Sequence, residues 1–221
     1  TVQVNGQRQT GIVKNGKPMH FDDSGRVKVM DVDAEDVYSA ADIYRRTVVM
    51  VDVSDEISYG IDFFHVRGGN DHIYSFHALS QEITETEGLT LKDQVDENGE
   101  FVGSYAGPDV PYATTGKPSG YTYLTNVRKD TDPKSGEFAV DFKIMKNFRN
   151  VKKDPIDLNL RMTMLGDFKL DEVSLVHAIP PQRDGNPTYV EKVLARRTGE
   201  KLDTLFTTVF EPYQKARYIA S

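Results

Sequence analysis

The sequence predicts an all-β protein, a large antiparallel β-sandwich with little helix. Three observations carry that expectation. Turn signals recur at short intervals, at Asn15-Gly16, Ser24-Gly25, Gly68-Gly69, Asn98-Gly99, Ser135-Gly136 and Asp184-Gly185-Asn186. Between them lie short runs rich in Val, Ile, Phe, Tyr and Thr, residues that fit a pleated, half-buried surface. Several runs alternate with period two. Ile57, Tyr59, Ile61, Phe63 and His65 share one strand face; Leu158, Leu160, Met162 and Met164 share another, with Asn159, Arg161 and Thr163 opposite.

Taken in order, the chain enters at once on a strand pattern, Thr1-Val2-Gln3-Val4, with no initiator methionine, so the first residue reads as a cut. Further strands are predicted over 26–32, 47–53, 57–67, 71–78, 121–128, 137–144, 158–165, 170–178, 189–196 and 204–210. Segments 34–46 and 80–87 hold helix-forming residues but no sustained apolar stripe, and the first is read as extended or irregular. Residues 103–120 contain three prolines and four glycines. That density breaks regular structure and predicts a long loop, beside which Tyr105, Tyr112, Tyr121 and Tyr123 cluster. No repeat, low-complexity tract or linker divides the chain, so residues 1–221 are assigned to one β-sandwich domain.

Composition narrows the chemistry. The 221 residues contain no cysteine, which excludes disulfides, thiolate zinc sites and cysteine nucleophiles. The net charge of −7 lacks the basic footprint of a nucleic-acid binder. The densest basic stretch, Lys143, Lys146, Arg149, Lys152 and Lys153, reads as a solvated loop face, with an anion-binding patch as the functional alternative. No apolar run approaches the ~18 residues that span a bilayer. No nucleophile elbow or phosphate loop occurs. Asp171-Glu172 and Glu35-Asp36 read as surface charge.

The richest segment is 59–78. Gly68-Gly69 between two strand patterns predicts a hairpin, because glycine supplies positive φ without steric cost. In that register Arg67 faces Asn70, His65 faces His72 and Phe63 faces Tyr74, so the two histidines become cross-strand neighbours. Two histidines are half a zinc site, and Asp62 falls on the opposite face, so no metal site is assigned. The flanking strands, apolar on both faces through Ile61, Phe63, Phe64, Val66, Ile73 and Phe76, are expected to be central. His77 is expected to be carried in with them, at least partly buried and hydrogen-bonded.

Three segments follow one another, Tyr44-Arg45-Arg46-Thr47-Val48-Val49-Met50-Val51-Asp52, Ile61-Asp62-Phe63-Phe64-His65-Val66-Arg67-Gly68-Gly69 and His72-Ile73-Tyr74-Ser75-Phe76-His77. In that order they resemble the C-terminal region of heparinase II/III-like polysaccharide lyases. The resemblance extends through the strand Gly120-Tyr121-Thr122-Tyr123-Leu124-Thr125-Asn126-Val127-Arg128 and the closing Phe206-Thr207-Thr208-Val209-Phe210-Glu211-Pro212-Tyr213. Thr1-Val2-Gln3-Val4-Asn5-Gly6-Gln7-Arg8-Gln9 is similar to the family segment that follows a His-Asn pair.

The resemblance implies an N-terminal α-helical toroid joined to a C-terminal β-sandwich, and β-elimination at a uronate-containing acidic polysaccharide of glycosaminoglycan or alginate type. It places the catalytic groups and a structural zinc site before Thr1. No catalytic or metal-binding residue is therefore assigned in this chain, no cofactor is expected in it, and zinc belongs to the full-length parent. Candidate substrate-binding residues are His65, Arg67, His72, His77, Tyr105 and Tyr112. The implied partners are the protein's own N-terminal helical domain and the polysaccharide, with homodimerisation open. The implied location is periplasmic or extracellular. The alternatives are a carbohydrate-binding module using the Tyr-rich loop and His segment, or a purely structural sandwich. An exposed apolar flank for the helical domain marks the first reading; a concave aromatic groove without it marks the second.

Overall fold

A computed structural model describes residues 1–9, 16–116, 120–145 and 157–219. Of the basic stretch, Lys146, Arg149, Lys152 and Lys153 lie outside the described residues, as does Asn15 of the first turn signal. The described residues form an antiparallel β-sandwich, and their helical content is two three-residue 3-10 turns, Glu35–Val37 and Tyr121–Tyr123. The strands are β1 (Val2–Val4), β2 (Lys17–Asp22), β3 (Val27–Asp33), β4 (Ile43–Asp52), β5 (Ser58–Arg67), β6 (Asp71–His77), β7 (Ile83–Glu87), β8 (Lys92–Asp93), β9 (Leu124–Asp130), β10 (Phe138–Lys143), β11 (Asn159–Leu165), β12 (Glu172–Ala178), β13 (Val190–Thr198) and β14 (Asp203–Tyr213). A six-stranded sheet runs β1-β6-β13-β12-β9-β8, and an eight-stranded sheet runs β2-β3-β4-β5-β14-β11-β10-β7.

The two inner faces meet in one core that includes Val2, Val4, Tyr44, Phe64, Val66, Tyr74, Phe142, Met162, Met164, Val173, Leu175, Val193 and Phe206. Period two puts these side chains inside: Met162 and Met164 are buried while Thr163 between them is only partly covered. Polar groups tie the layers together. Tyr44 Oη donates to the Val2 carbonyl at 2.6 Å. Asp62, 1% exposed, accepts Arg46 through Nε at 2.8 Å and Nη2 at 3.0 Å, and Tyr74 Oη from the opposite sheet at 3.0 Å. A buried carboxylate persists because both of its oxygens meet donors, one of them charged.

The 59–78 segment departs from the expected hairpin. Gly68 and Gly69 do turn the chain at positive φ, +99° and +77°. However, β5 pairs with β4 and β14, whereas β6 pairs with β1 and β13 in the other layer. The turn is an arch that carries the chain across the sandwich. Its backbone groups bond to neighbouring arches: Asp42 N donates to Arg67 O, Gly68 N to Leu202 O, and Leu202 N to Gly69 O. The local signature of two glycines is the same for arch and hairpin; long-range strand partners decide between them. His65 therefore does not face His72, nor Arg67 Asn70, nor Phe63 Tyr74. Both strands are central, as expected. Of the six apolar residues, Phe64, Val66 and Ile73 are buried, while Ile61, Phe63 and Phe76 are partly exposed.

The eight-stranded sheet extends past the six-stranded one. Asp62 points into the sandwich; Val48 lies opposite Asp62, Met30 opposite Val48, and Phe21 opposite Met30. Opposed residues of an antiparallel pair share a face, so this row is inner face. Beyond β1 nothing among the described residues covers it: Met50 is 41%, Met30 48% and Phe21 67% exposed.

Candidate functional site

The residues singled out by sequence are dispersed. His72 is wholly buried between the sheets, where its Nε2 lies 2.6 Å from Gly68 O and its Nδ1 3.1 Å from Thr204 Oγ1. A carbonyl only accepts, so Nε2 carries the proton and Nδ1 accepts from the Thr204 hydroxyl. Burial lowers the pKa of this ring, outweighing the bond to Gly68 O, which acts in the other direction. His72 is thus a neutral staple between β6, the arch and β14, out of reach of substrate. His65 lies on the outer face of the eight-stranded sheet, with Nε2 2.7 Å from Asp203 Oδ1. Arg67 is exposed at the end of β5. Tyr112 is exposed and packs edge-on against Tyr123, ring centroids 5.6 Å apart.

His77 and Tyr105 are brought to one surface, the outer face of the six-stranded sheet. Along β6 the inward positions are His72, Tyr74 and Phe76, so Asp71, Ile73, Ser75 and His77 point outward. His77 is exposed and has no hydrogen-bond partner among the described residues, contrary to expectation: strand parity puts it outside, at the end of β6. Its register partner is Lys192 on β13. Lys192 is half-buried and has no ion-pair partner among the described residues; burial alone lowers its pKa. Neighbouring side chains also withdraw enough water from His77 to lower its pKa, and the Lys192 charge adds to this. The result is an unspent cation beside a neutral imidazole on an open face.

Toward the other end of β6, the long loop folds back over the same sheet. Ile73, Leu124, Val127, Val176 and Leu194 form a second apolar cluster with Tyr105, to which Tyr121 packs. The two tyrosine rings meet edge-on at 5.0 Å. A cavity of about 200 Å³ opens beside them, lined by Asp71, Ile73, Tyr105, Ala106, Tyr121, Lys129, Glu172 and Arg196. Arg196 is held bidentately by Asp71, at 2.9 and 3.1 Å, and Lys129 lies 3.5 Å from Glu172. Sequence reasoning missed Lys192, Lys129, Glu172 and Arg196. Glu172 read as surface charge but is largely covered, because β12 turns it under the loop. The signal for Lys192 was its place, with Glu191, in a strand run whose other members from Val190 to Ala195 are apolar.

No group of three or more His, Asp or Glu side chains that could hold a metal occurs among the described residues. No family model and no curated protein matches the chain.

Among solved structures the chain has distant matches. A crystal structure of the heparan sulfate lyase HepC from Pedobacter heparinus is 10% identical, with a TM-score of 0.41, over 98% of this chain and 24% of its own length. A structure of a mutant of that enzyme is 8% identical, with a TM-score of 0.41, over 99% of this chain and 24% of its own. The chain thus spans about a quarter of the length of those proteins.

Proposed function

We propose that this chain is the C-terminal β-sandwich part of a heparinase II/III-like polysaccharide lyase, and that the outer face of its six-stranded sheet binds a uronate-containing acidic polysaccharide. The observation that carries the proposal is the Lys192–His77 pair on that open face. An acidic sugar supplies the carboxylate Lys192 lacks, at a position where partial burial strengthens the pairing. His77 beside it offers a neutral donor or acceptor to the adjoining hydroxyls. Ser75 N donates to Thr1 O at 2.7 Å, so the start of β1 borders this surface at the sheet's edge, beside β6. Under the resemblance, the His-Asn pair that precedes Thr1 in the family enters here, next to the bound carboxylate.

In β-elimination the carboxylate is neutralised, a base removes the C5 proton and an acid assists the 4-linked oxygen to leave. This chain's contribution is the first of these, holding the carboxylate; base and acid belong to the preceding part. The uncovered row Phe21, Met30 and Met50 supports the reading, because it supplies the apolar flank on which that part would dock. Extracytoplasmic location follows from the same reading. A non-catalytic carbohydrate-binding module would use the same face but has no need of the apolar row.

The test is retention of the chain in affinity electrophoresis through heparan sulfate or alginate, at low ionic strength. The wild-type chain should be retarded, Lys192→Ala should lose most of the retardation, and His77→Ala part of it. Equal mobility of wild type and Lys192→Ala would sink the proposal.

A further inference from the structure

His77 and Lys192 are register partners on β6 and β13, so their side chains are cross-strand neighbours on one outer face. The carboxylates of both strands are remote or already paired. Asp71, on the same face of β6, lies about 20 Å along the strand and is bonded bidentately to Arg196. Glu191, next to Lys192, points inward, where it accepts Arg128 Nη2 at 3.0 Å and lies 3.2 Å from His177 Nε2. On β12 the residue opposite Lys192 is the uncharged Val176. On the other side of β6, β1 carries no ionisable side chain, and the amine of Thr1 donates to Ser75 O at 2.9 Å. Burial, ahead of the charge of Arg46, pushes that amine down to about 5. In the segment after β6 the first carboxylate is that of Glu82, which is exposed. After burial, the charges that act on the His77 ring are those of Lys192 and the Thr1 amine; both are cations, and no carboxylate is among them.

A histidine in this company is neutral at pH 7.5, and nothing on its own face pairs with it when it protonates. A bound carboxylate changes that, because it offsets the repulsion between the imidazolium and Lys192. Proton and anion then each favour the binding of the other. We infer that, on the reading of this face as the polysaccharide surface, binding of the polyanion is coupled to proton uptake by His77, so that the face holds an acidic polysaccharide more tightly in mildly acidic surroundings. The sign follows from the geometry. Above about pH 6.5, the ordinary value for an imidazole, Lys192 alone meets a uronate carboxylate. Below it the imidazolium adds a second cation one cross-strand spacing away, about 5 Å, while carboxylates with pKa values of about 4 stay charged. The other four histidines lie elsewhere. His65 bonds Asp203, His72 is buried in the core, His177 lies against Glu191, and His20 is on β2, the edge strand of the other sheet.

The experiment is affinity electrophoresis of the full chain through alginate, whose charged groups are all carboxylates, at pH 7.5 and pH 5.5 and one low ionic strength. Each lane is referred to a gel without polysaccharide. The Thr1 amine stays mostly neutral over that range. Wild type should bind about fivefold more tightly at pH 5.5, the difference between a neutral and a charged hydrogen-bonding partner. His77→Gln keeps a hydrogen-bonding side chain that never charges, and its binding should change by less than about twofold. In parallel, the NMR titration midpoint of the His77 ring should rise by about 0.7 or more when alginate oligosaccharide saturates the chain, which is fivefold expressed in pH. Equal retardation of wild type at both pH values, an acid enhancement that survives in His77→Gln, or a midpoint that does not move overturns the coupling and leaves the surface standing. No retardation of wild type at either pH removes the surface, and the coupling with it.

Discussion

His72→Ala provides the sharpest check on the inter-layer architecture. The imidazole is fully buried, and it bonds the arch carbonyl of Gly68 on one side and Thr204 of the opposite sheet on the other. Truncation leaves the Gly68 carbonyl without its side-chain donor, a loss of about 1–3 kcal/mol. Thr204 fares better, because Arg197 Nη1 still donates to its oxygen at 3.0 Å. The cavity left by the ring adds on the order of 2 kcal/mol. The total expected is about 3–5 kcal/mol, read as a shift of the urea midpoint at pH 7.5 with unchanged slope. His72→Gln, whose amide can still donate to a carbonyl, should recover part of it.

The pH dependence gives an independent readout. The folded-state pKa of His72 lies below its ordinary value of 6.5, so the folded form favours the neutral ring. Below about pH 6.5 the unfolded chain binds a proton the folded chain resists, and stability falls as pH falls. The gap between wild type and His72→Ala should therefore be widest at pH 7.5 and narrower at pH 5. A cost below about 1 kcal/mol, or a gap of the same size at both pH values, would refute the assignment of His72 as a neutral structural staple.

Other outcomes follow from the same geometry. Asp62→Ala should cost about 3–5 kcal/mol in urea unfolding, because it strips the partner from Arg46 and Tyr74 together. Gly68→Ala should cost on the order of 2–4 kcal/mol, since a Cβ there combines positive φ with a clash against the Ala40 carbonyl oxygen; Gly99→Ala, with positive φ in open space, should cost about 1 kcal/mol. Micromolar zinc should leave the melting temperature unchanged, His72 being sunk in the core and His65 paired with Asp203; a rise that disappears in His77→Ala would contradict this. Incubation of the chain with heparan sulfate or alginate should produce no ultraviolet absorbance from unsaturated uronate, because the proposed base and acid lie outside it; a clear rise would place them within it.

The class of fold is legible in local pattern. Alternation such as Met162 and Met164 against Thr163 sets which side of a strand faces the core before any partner is known, and the spacing of turn residues sets strand length; that Arg161 on the other side is also buried comes from its pairing with Asp141. The centrality of β5 and β6 was legible in their apolar content, and the long loop in its prolines and glycines. Which strand meets which is a matter of long-range pairing and is not legible there. Gly68-Gly69 is compatible with a hairpin or an arch, and the choice rests on hydrogen bonds to Asp42 and Leu202, remote in sequence. That choice separates His65 from His72, sends one to the outer face and the other to the core, and removes the cross-strand histidine pair that a hairpin would have made. The same remote pairing creates what no local pattern shows. Lys192 meets His77 because β13 lies beside β6, and Tyr105 meets Arg196 and Glu172 because the loop folds back over four strands, β6, β13, β12 and β9. Periodicity is a local property and reports faces; a site is a meeting of faces and needs the register of the sheets to exist.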